Sequence, residues 1–235
     1  MRLSISFIFA CLSLFAMGYI ERAIVAARQS FGTGHEEEPP LPEGVVAVEW
    51  LESDGNQHVV IGDIYGADYL SIMVESEVIP SSGCRKAYGV GYNANFQDDA
   101  GINSVGWFGN SIFPCIIGNW YEIEHDKNKD YHVFINGGDI GRTMFLFNGI
   151  AAHKVFVLFC GSSGSRPYKT SSGNYMPWVG RIGRVLISGG GEMIRDLIPV
   201  RVGEGEEAEG FFYDLVSGEF FGNGGTGKLG IGGDL

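Results

Sequence analysis

Basic residues are scarce in this chain of 235 residues. Lysine and arginine together number 16 against 28 aspartates and glutamates, which gives a formal net charge of −12. The basic residues form no cluster of the kind that neutralises phosphate groups. We therefore exclude nucleic acid as a partner and interpret the acidity as a solubility feature of a folded protein.

Motifs for metal or serine chemistry are also lacking. The five histidines show no H-E-x-x-H or other metal-ligand spacing. Gly161-Ser162-Ser163-Gly164 is not a nucleophile elbow, because the second glycine is missing at the required offset.

Cysteines number only four. Cys11 lies in the apolar N-terminal stretch, which leaves Cys84, Cys115 and Cys160. Because three is odd, at most one internal disulfide can form, and Cys84–Cys115 is the candidate if their strands are neighbours. Cys160 ends the apolar run VFVLFC, and we predict that it is a buried small hydrophobe.

Glycine and aromatic residues, in contrast, are abundant. The chain has 37 glycines, 16 phenylalanines and 10 tyrosines, and no convincing amphipathic helix follows Val45. β-Rich runs alternate with turn residues about every 8–15 residues, which is typical of a two-sheet antiparallel sandwich or jelly roll. The predicted fold is all-β, with strands at 45–51, 68–78, 86–96, 104–109, 119–126, 131–137, 143–149, 154–160 and 177–188 and a C-terminal pair.

A hairpin is predicted over residues 119–137. NWYEIEHD and YHVFING alternate in polarity on either side of KNKD. Tyr121, Ile123 and His125 share one face of the first strand, and three carboxylates share the other. Asn136-Gly137-Gly138 supplies the positive-φ positions of the next turn.

The N-terminus carries an uncharged stretch from Leu3 to Ile20. Its length lies between a signal-peptide core and a membrane span. Ala16 and Gly18 form a small-x-small cleavage pattern, whereas the following ERAIVAARQSF keeps a helical character. Residues 1–31 are thus a cleaved signal peptide or a hydrophobic helix that anchors the protein or associates with sister subunits, and a buried helix of a soluble protein is the third alternative. We expect an exported protein, either secreted or anchored at the cell surface.

Residues 32–44, GTGHEEEPPLPEG, predict a stiff, solvated linker. The folded domain is predicted over 45–235.

The closing segment GFFYDLVSGEFFGNGGTG predicts a hairpin. Gly222–Gly227 matches G-x-G-x-x-G and, with Lys228, nearly matches a phosphate-binding loop. However, Leu229 stands in place of the magnesium-binding hydroxyl, and LGIGGDL cannot form the helix that such a loop must open. We interpret these glycines as turn residues.

Three stretches of the chain resemble the laminin-G-like, concanavalin A-like domains of phage structural proteins and gut-bacterial surface proteins. They are VEWLESDGNQHVVIG, the 119–137 hairpin and the C-terminal region with GRI at 180–182, RDLIP at 195–199, Gly210, Tyr213-Asp214 and NGGTG at 223–227. The resemblance covers about residues 45–230 and implies a two-sheet jelly roll. It implies sugar or surface binding more loosely, because this fold hosts lectins, glycosidases and structural modules.

Three carboxylates of the hairpin, Glu122, Glu124 and Asp126, are the catalytic candidates. Jelly-roll glycosidases carry a similar Glu-x-Asp-x-Glu strand, since retaining hydrolysis needs two carboxyls about 5–5.5 Å apart. The middle and last residue types are exchanged here. We therefore predict a solvated outer face and not a catalytic centre.

Two kinds of binding residue are candidates. Asn93, Asn95, Asp98 and Asp99 lie in one predicted loop and offer hard oxygen ligands for calcium, although such loops are usually only turns. Glycan binding would use aromatic rings at an open groove, and the candidates are Tyr92, Trp107, Tyr168, Tyr175 and Trp178.

The sequence as a whole predicts a non-catalytic recognition or adhesion module for glycans or other cell-surface components. The alternatives are a subunit of a filament, envelope or virion that self-associates through its N-terminal helix, and a retaining glycoside hydrolase that uses Glu122 and Asp126.

Overall fold

A computed structural model describes residues 40–78, 84–93, 96–103, 106–107, 116–129, 132–142, 155–160, 162–163, 166–167 and 178–235. Short 3-10 helices lie at Lys127–Lys129 and Gly205–Glu207. The strands of these residues are, in chain order, β1 (Val45–Ala47), β2 (Leu51–Asp54), β3 (Val59–Asp63), β4 (Tyr69–Ser76), β5 (Cys84–Asn93), β6 (Phe96–Asn103), β7 (Gly106–Trp107), β8 (Trp120–Asp126), β9 (His132–Ile135), β10 (Gly138–Arg142), β11 (Val155–Leu158), β12 (Ser162–Ser163), β13 (Arg166–Pro167), β14 (Val179–Gly189), β15 (Glu192–Val202), β16 (Glu209–Asp214), β17 (Phe220–Phe221) and β18 (Gly230–Ile231).

Two antiparallel sheets dominate the fold. The larger has eleven strands, eight of them in the order β10-β9-β8-β4-β14-β15-β16-β17, with β1 beside β15 and β2 between β14 and β18. The smaller has five strands in the order β3-β11-β5-β6-β7, and β12 and β13 form a separate ladder. The all-β prediction is confirmed, and the two sheets are consistent with a sandwich.

The core consists of inward side chains of both sheets. Ile72 and Val185 of the larger sheet and Tyr88 and Phe156 of the smaller are fully buried in one apolar cluster. A hydrogen bond between Tyr88 Oη and His125 Nε2 joins the sheets inside this cluster. Burial of alternate residues on each strand drives the packing of the two layers.

The hairpin predicted over 119–137 is confirmed. Strand β8 pairs with β9, and Asp126 lies opposite His132. Tyr121, Ile123 and His125 are buried, as the alternation predicts. Asn136 and Gly137 have φ values of 50° and 74°, which suit the two-residue turn into β10.

The closing hairpin is also confirmed, since β16 pairs with β17. In the glycine-rich loop that follows, the Gly224 and Thr226 amides donate to the carbonyls of His58 and Asn56 at 2.8 and 3.1 Å. The Gly225 amide donates to Asn223 Oδ1 at 2.8 Å. These amides bind the chain itself, so the loop is a turn and not a phosphate cradle.

Strands β3, β6 and β15 are among those that were not predicted. The Asp98-Asp99 pair was placed in a loop, but it lies in β6 opposite Val90 and Gly89. The pairing with β5 outweighs the low strand propensity of aspartate. Strand β15 tolerates Pro199 because its neighbour on one side changes there, from β14 opposite Leu197 to β1 opposite Val200.

Several predictions concern segments outside the described residues. They include the N-terminal helix of residues 1–31, most of the 32–44 linker and the strand at 143–149. Cys84 begins β5, whereas Cys115 lies outside, so the Cys84–Cys115 pair stays a prediction. Cys160 is buried as predicted, with 1% of its surface exposed. No helix in the described part of the chain is long and apolar enough to cross a membrane.

Candidate functional site

The outer face of the larger sheet carries a row of polar and aromatic side chains. Val74, Tyr121 and Ile182 point into the core, so their strand neighbours lie on the opposite face. Trp120 of β8 lies opposite Glu75 of β4, and Glu75 lies opposite Arg181 of β14. Arg181 in turn lies opposite Glu52 of β2. The row therefore crosses four neighbouring strands.

Arg181 binds the two carboxylates of this row and that of Glu77, which follows the end of β4. Its Nε lies 2.8 Å from Glu52 Oε2, and its Nη1 lies 3.3 Å from Glu75 Oε2. Its Nη2 lies 3.1 Å from Glu77 Oε1. The planar guanidinium thus fixes the positions of all three carboxylates.

The Trp50 side chain packs against Arg181. The guanidinium carbon of Arg181 lies 4.3 Å from the centre of the indole ring. On Gly232, a Cβ atom would come within 2.9 Å of the same ring. Because Gly232 and Arg181 both contact it closely, the Trp50 ring is a structural support for Arg181.

Burial acts on the pKa values of two groups in the row. Burial raises the pKa of Glu75 above its ordinary value, even though Arg181 acts in the opposite direction. Burial lowers the pKa of Arg181, but the hydrogen bond to Glu52 and the charges of the three carboxylates raise it above its ordinary value overall. The guanidinium therefore remains charged.

Next to this row lie the carboxylates of β8. Ser71 is 5% exposed, and its hydroxyl donates to Glu122 Oε1 at 3.0 Å. Burial and the neighbouring Glu122 raise the pKa of Glu124. Burial, together with Glu124 and Glu122, also raises the pKa of Tyr69 above its ordinary value.

Glu122, Glu124 and Asp126 lie on the outer face, as predicted, but they are not fully solvated. Glu122 and Glu124 are half-buried, and Asp126 is 9% exposed. Asp126 Oδ1 accepts the Asn128 amide at 2.9 Å, and its Oδ2 lies 3.4 Å from Lys129 Nζ. Asp126 therefore caps the turn that follows β8, an arrangement that does not suit the acid/base role in the hydrolase hypothesis.

We call this whole surface the outer strip. It comprises Glu52, Tyr69, Ser71, Glu75, Glu77, Trp120, Glu122, Glu124, Asp126 and Arg181.

The described aromatic candidates for glycan binding do not belong to the outer strip. Trp178 is fully buried in the core, so it is not a surface platform. Tyr92 belongs to β5 and Trp107 to β7. Tyr168 and Tyr175 lie outside the described residues.

The calcium candidates do not share a loop. Asn93 ends β5, Asp98 and Asp99 lie within β6, and Asn95 lies outside the described residues. Across the part of the chain that the structure describes, no group of three or more acidic, histidine or cysteine side chains could hold a metal ion.

The sequence reasoning missed Trp120, Glu75 and Arg181. Trp120 alternates with Glu122 and Glu124, so its place on the outer face of β8 could have been predicted. Arg181, in contrast, is 106 residues from Glu75 and 129 residues from Glu52 along the chain. No local pattern in the sequence joins residues so far apart.

Comparison of the chain with models of known protein families, with curated proteins and with solved structures gives no match.

Proposed function

We propose that this protein is a non-catalytic recognition module that binds glycans through the outer strip. One observation carries the proposal: Arg181 holds Glu52, Glu75 and Glu77 in place in a row that ends at the half-buried ring of Trp120. Sugar hydroxyls donate strong hydrogen bonds to carboxylates, and the apolar face of a pyranose packs on an aromatic ring. The row supplies both kinds of contact.

Carboxylates that are already fixed in position increase the affinity of such a site for its ligand. A flexible glutamate loses rotamer freedom when it binds a ligand, and that loss weakens affinity. Glu75 is 5% exposed and bonded to Arg181, so much of its freedom is already lost on folding. Glu52 and Glu77, whose side chains are 28% and 35% exposed, keep accepting capacity for a ligand beyond their bonds to Arg181.

We also propose that the sandwich is a jelly roll of the concanavalin A-like, laminin-G-like type. Two antiparallel sheets around one core support this finer assignment. The adjacency of the early strand β2 and the last strand supports it too, since β18 pairs with β2 and Asp234 forms a bridge with Val48.

Export follows from residues 1–31 and is likewise a proposal. The mass of the protein isolated from its native source tests it. A mass that lacks residues 1–18 would identify a secreted form, and an intact N-terminus would identify an anchor or assembly helix.

A glycan array tests the main proposal. We expect the full-length protein to bind a defined subset of glycans and Trp120→Ala to lose at least about tenfold in affinity, because the aromatic platform is removed. Phe220→Ala is the matched control, since Phe220 is 41% exposed at the far edge of the same sheet. A flat response of the wild-type protein, with and without calcium, would overturn the proposal.

Retaining glycoside hydrolysis is the second candidate. It is favoured by Glu124, whose pKa is raised by burial and by Glu122, since such a pair can divide acid and nucleophile roles. In this arrangement Glu124, not Asp126, would be the acid. If the protein releases no reducing sugar from a glycan that it binds, or if Glu122→Gln leaves turnover unchanged, this candidate is rejected.

A further inference from the structure

The geometry of the outer strip points to one class of glycan. We infer that the site takes a linear, uncharged oligosaccharide of at least three sugar units that lies across the strands, from Trp120 towards Glu52. This inference rests on the proposed glycan-binding function and specifies its ligand.

The minimum length of the oligosaccharide follows from the strand register. Trp120, Glu75, Arg181 and Glu52 are direct cross-strand neighbours on β8, β4, β14 and β2. With about 4.8 Å between neighbouring strands, the three steps span about 14 Å, which is roughly the length of three linked pyranose units. A single sugar would contact only one end of the row.

The direction of the bound oligosaccharide follows from the positions of the carboxylates that would accept its hydrogen bonds. Glu75 lies on β4, Glu77 follows the end of that strand, and Glu52 lies beyond Arg181 on β2, so the acceptors continue away from Trp120 across the strands. The space beside Gly183 of β14 also borders Trp120, because a Cβ there would lie 3.7 Å from Trp120 Cζ3. The indole therefore extends from β8 over β4 in the direction of the row.

The absence of charge on the ligand follows from the electrostatics. The outer strip contains six carboxylates, and its described cationic contacts are Arg181 and Lys129, which leaves a formal surplus of four negative charges. The guanidinium is already bonded to Glu52, Glu75 and Glu77. A uronate or sulfated sugar would face this surplus without a cation to pair with.

The experiment is a titration of the full-length protein with neutral oligomers of one to six units. The probes are oligomers of glucose, xylose, mannose and N-acetylglucosamine, with galacturonate oligomers of the same lengths. For the sugar that binds, we expect the trimer to bind at least about tenfold more tightly than the monomer, with little gain beyond four units. We expect the galacturonate oligomers to bind at least about tenfold more weakly at low salt.

Two variants test whether the dependence of affinity on oligomer length comes from the row of Trp120, Glu75, Arg181 and Glu52. Arg181→Lys keeps a positive charge but loses the planar geometry that orders three carboxylates, so it should weaken the trimer more than the monomer. Trp120→Ala should remove the dependence on length. Phe220→Ala should preserve it.

The outcomes separate this inference from the proposed function. Equal affinity for the monomer and the hexamer, or stronger binding of galacturonate oligomers than of neutral ones, would overturn the inference and leave glycan binding in place. The absence of binding to any oligomer here and to any glycan on the array would overturn both.

Discussion

Asp214, the last residue of β16, is an acidic residue with no exposed surface. Its carboxylate organises the turn that follows. Its oxygens accept from Arg195 Nη1 at 3.0 Å, from the Asp196 and Val216 amides at 2.9 and 3.1 Å, and from Ser217 Oγ at 2.7 Å. Four donors compensate the cost of burying the charge. Asp214 thus joins β15 to the turn between β16 and β17.

Replacement of Asp214 should therefore destabilise the fold strongly. We expect Asp214→Ala to lower the free energy of unfolding by about 3–5 kcal/mol, because it leaves Arg195 and two amides without their acceptor. Urea unfolding measures the change. Glu219→Gln, an exposed substitution on the same hairpin, should change the free energy by less than about 0.5 kcal/mol. Similar losses for the two variants would contradict this role of Asp214.

His125 makes stability depend on pH. Burial lowers the pKa of His125 to about 3, compared with an unfolded value of 6.5. The folded pKa is the lower one, so the contribution is complete above pH 6.5 and is lost as the pH falls towards 3.

The pH dependence can be assigned with a non-titrating variant. Between pH 7 and pH 4, we expect the wild-type protein to lose about 3 kcal/mol more unfolding free energy than His125→Gln. Glu75 and Glu124 have raised pKa values and act in the opposite direction, but they are present in both proteins and cancel in the difference. Parallel stability curves would contradict the assignment.

At the scale of elements, the closing loop is joined to the turn between β2 and β3. Gln57, which is 4% exposed, accepts from Ser53 Oγ at 3.0 Å and donates to the Lys228 carbonyl at 3.2 Å. Asn223 Oδ1 accepts the His58 amide at 3.2 Å. Polar residues from opposite ends of the chain thus satisfy one another's backbone groups.

Gly225 allows this close approach. A Cβ on Gly225 would lie 2.2 Å from the Asn56 carbonyl oxygen, which is a backbone atom that cannot rotate away. We expect Gly225→Ala to cost about 3 kcal/mol in thermal or urea unfolding. Gly190→Ala is the control: its φ is +61° and the space around it is open, so only about 1 kcal/mol of backbone strain should result. A smaller loss at Gly225 than at Gly190 would contradict the steric explanation.

Prediction succeeded where an element could be recognised from its own residues. The β8–β9 hairpin follows from alternation over NWYEIEHD and YHVFING, and the closing hairpin follows from its aromatic runs and Ser-Gly turn. Strand β6 was missed because its aspartates disfavour strands locally, and only the pairing with β5 compensates.

At the scale of the whole molecule, the sequence predicts a boundary between the N-terminal segment and the sheets. The Val45 amide donates to the Pro42 carbonyl at 3.1 Å just as β1 begins. Residues 32–44 contain four glutamates, three prolines and three glycines. Such a composition favours solvation over packing.

Limited proteolysis with a glutamate-specific endoproteinase should first cut between Glu36 and Glu43. The linker is predicted to be solvated, whereas the glutamates within the strands belong to a hydrogen-bonded backbone that resists local opening. Mass spectrometry of the stable fragment should give an N-terminus between residues 37 and 44. A stable fragment that begins after residue 45 would contradict the predicted boundary.

The sequence by itself determined the all-β class, the hairpins and the alternation that separates core from outer face. Those features depend on residues that are close along the chain, where strand period and turn chemistry act directly. Only the tertiary structure decided that Trp178 belongs to the core and that Trp120, Glu75, Arg181 and Glu52 form one row. The row depends on the order and register of strands distant in sequence, which the packing of the whole core selects.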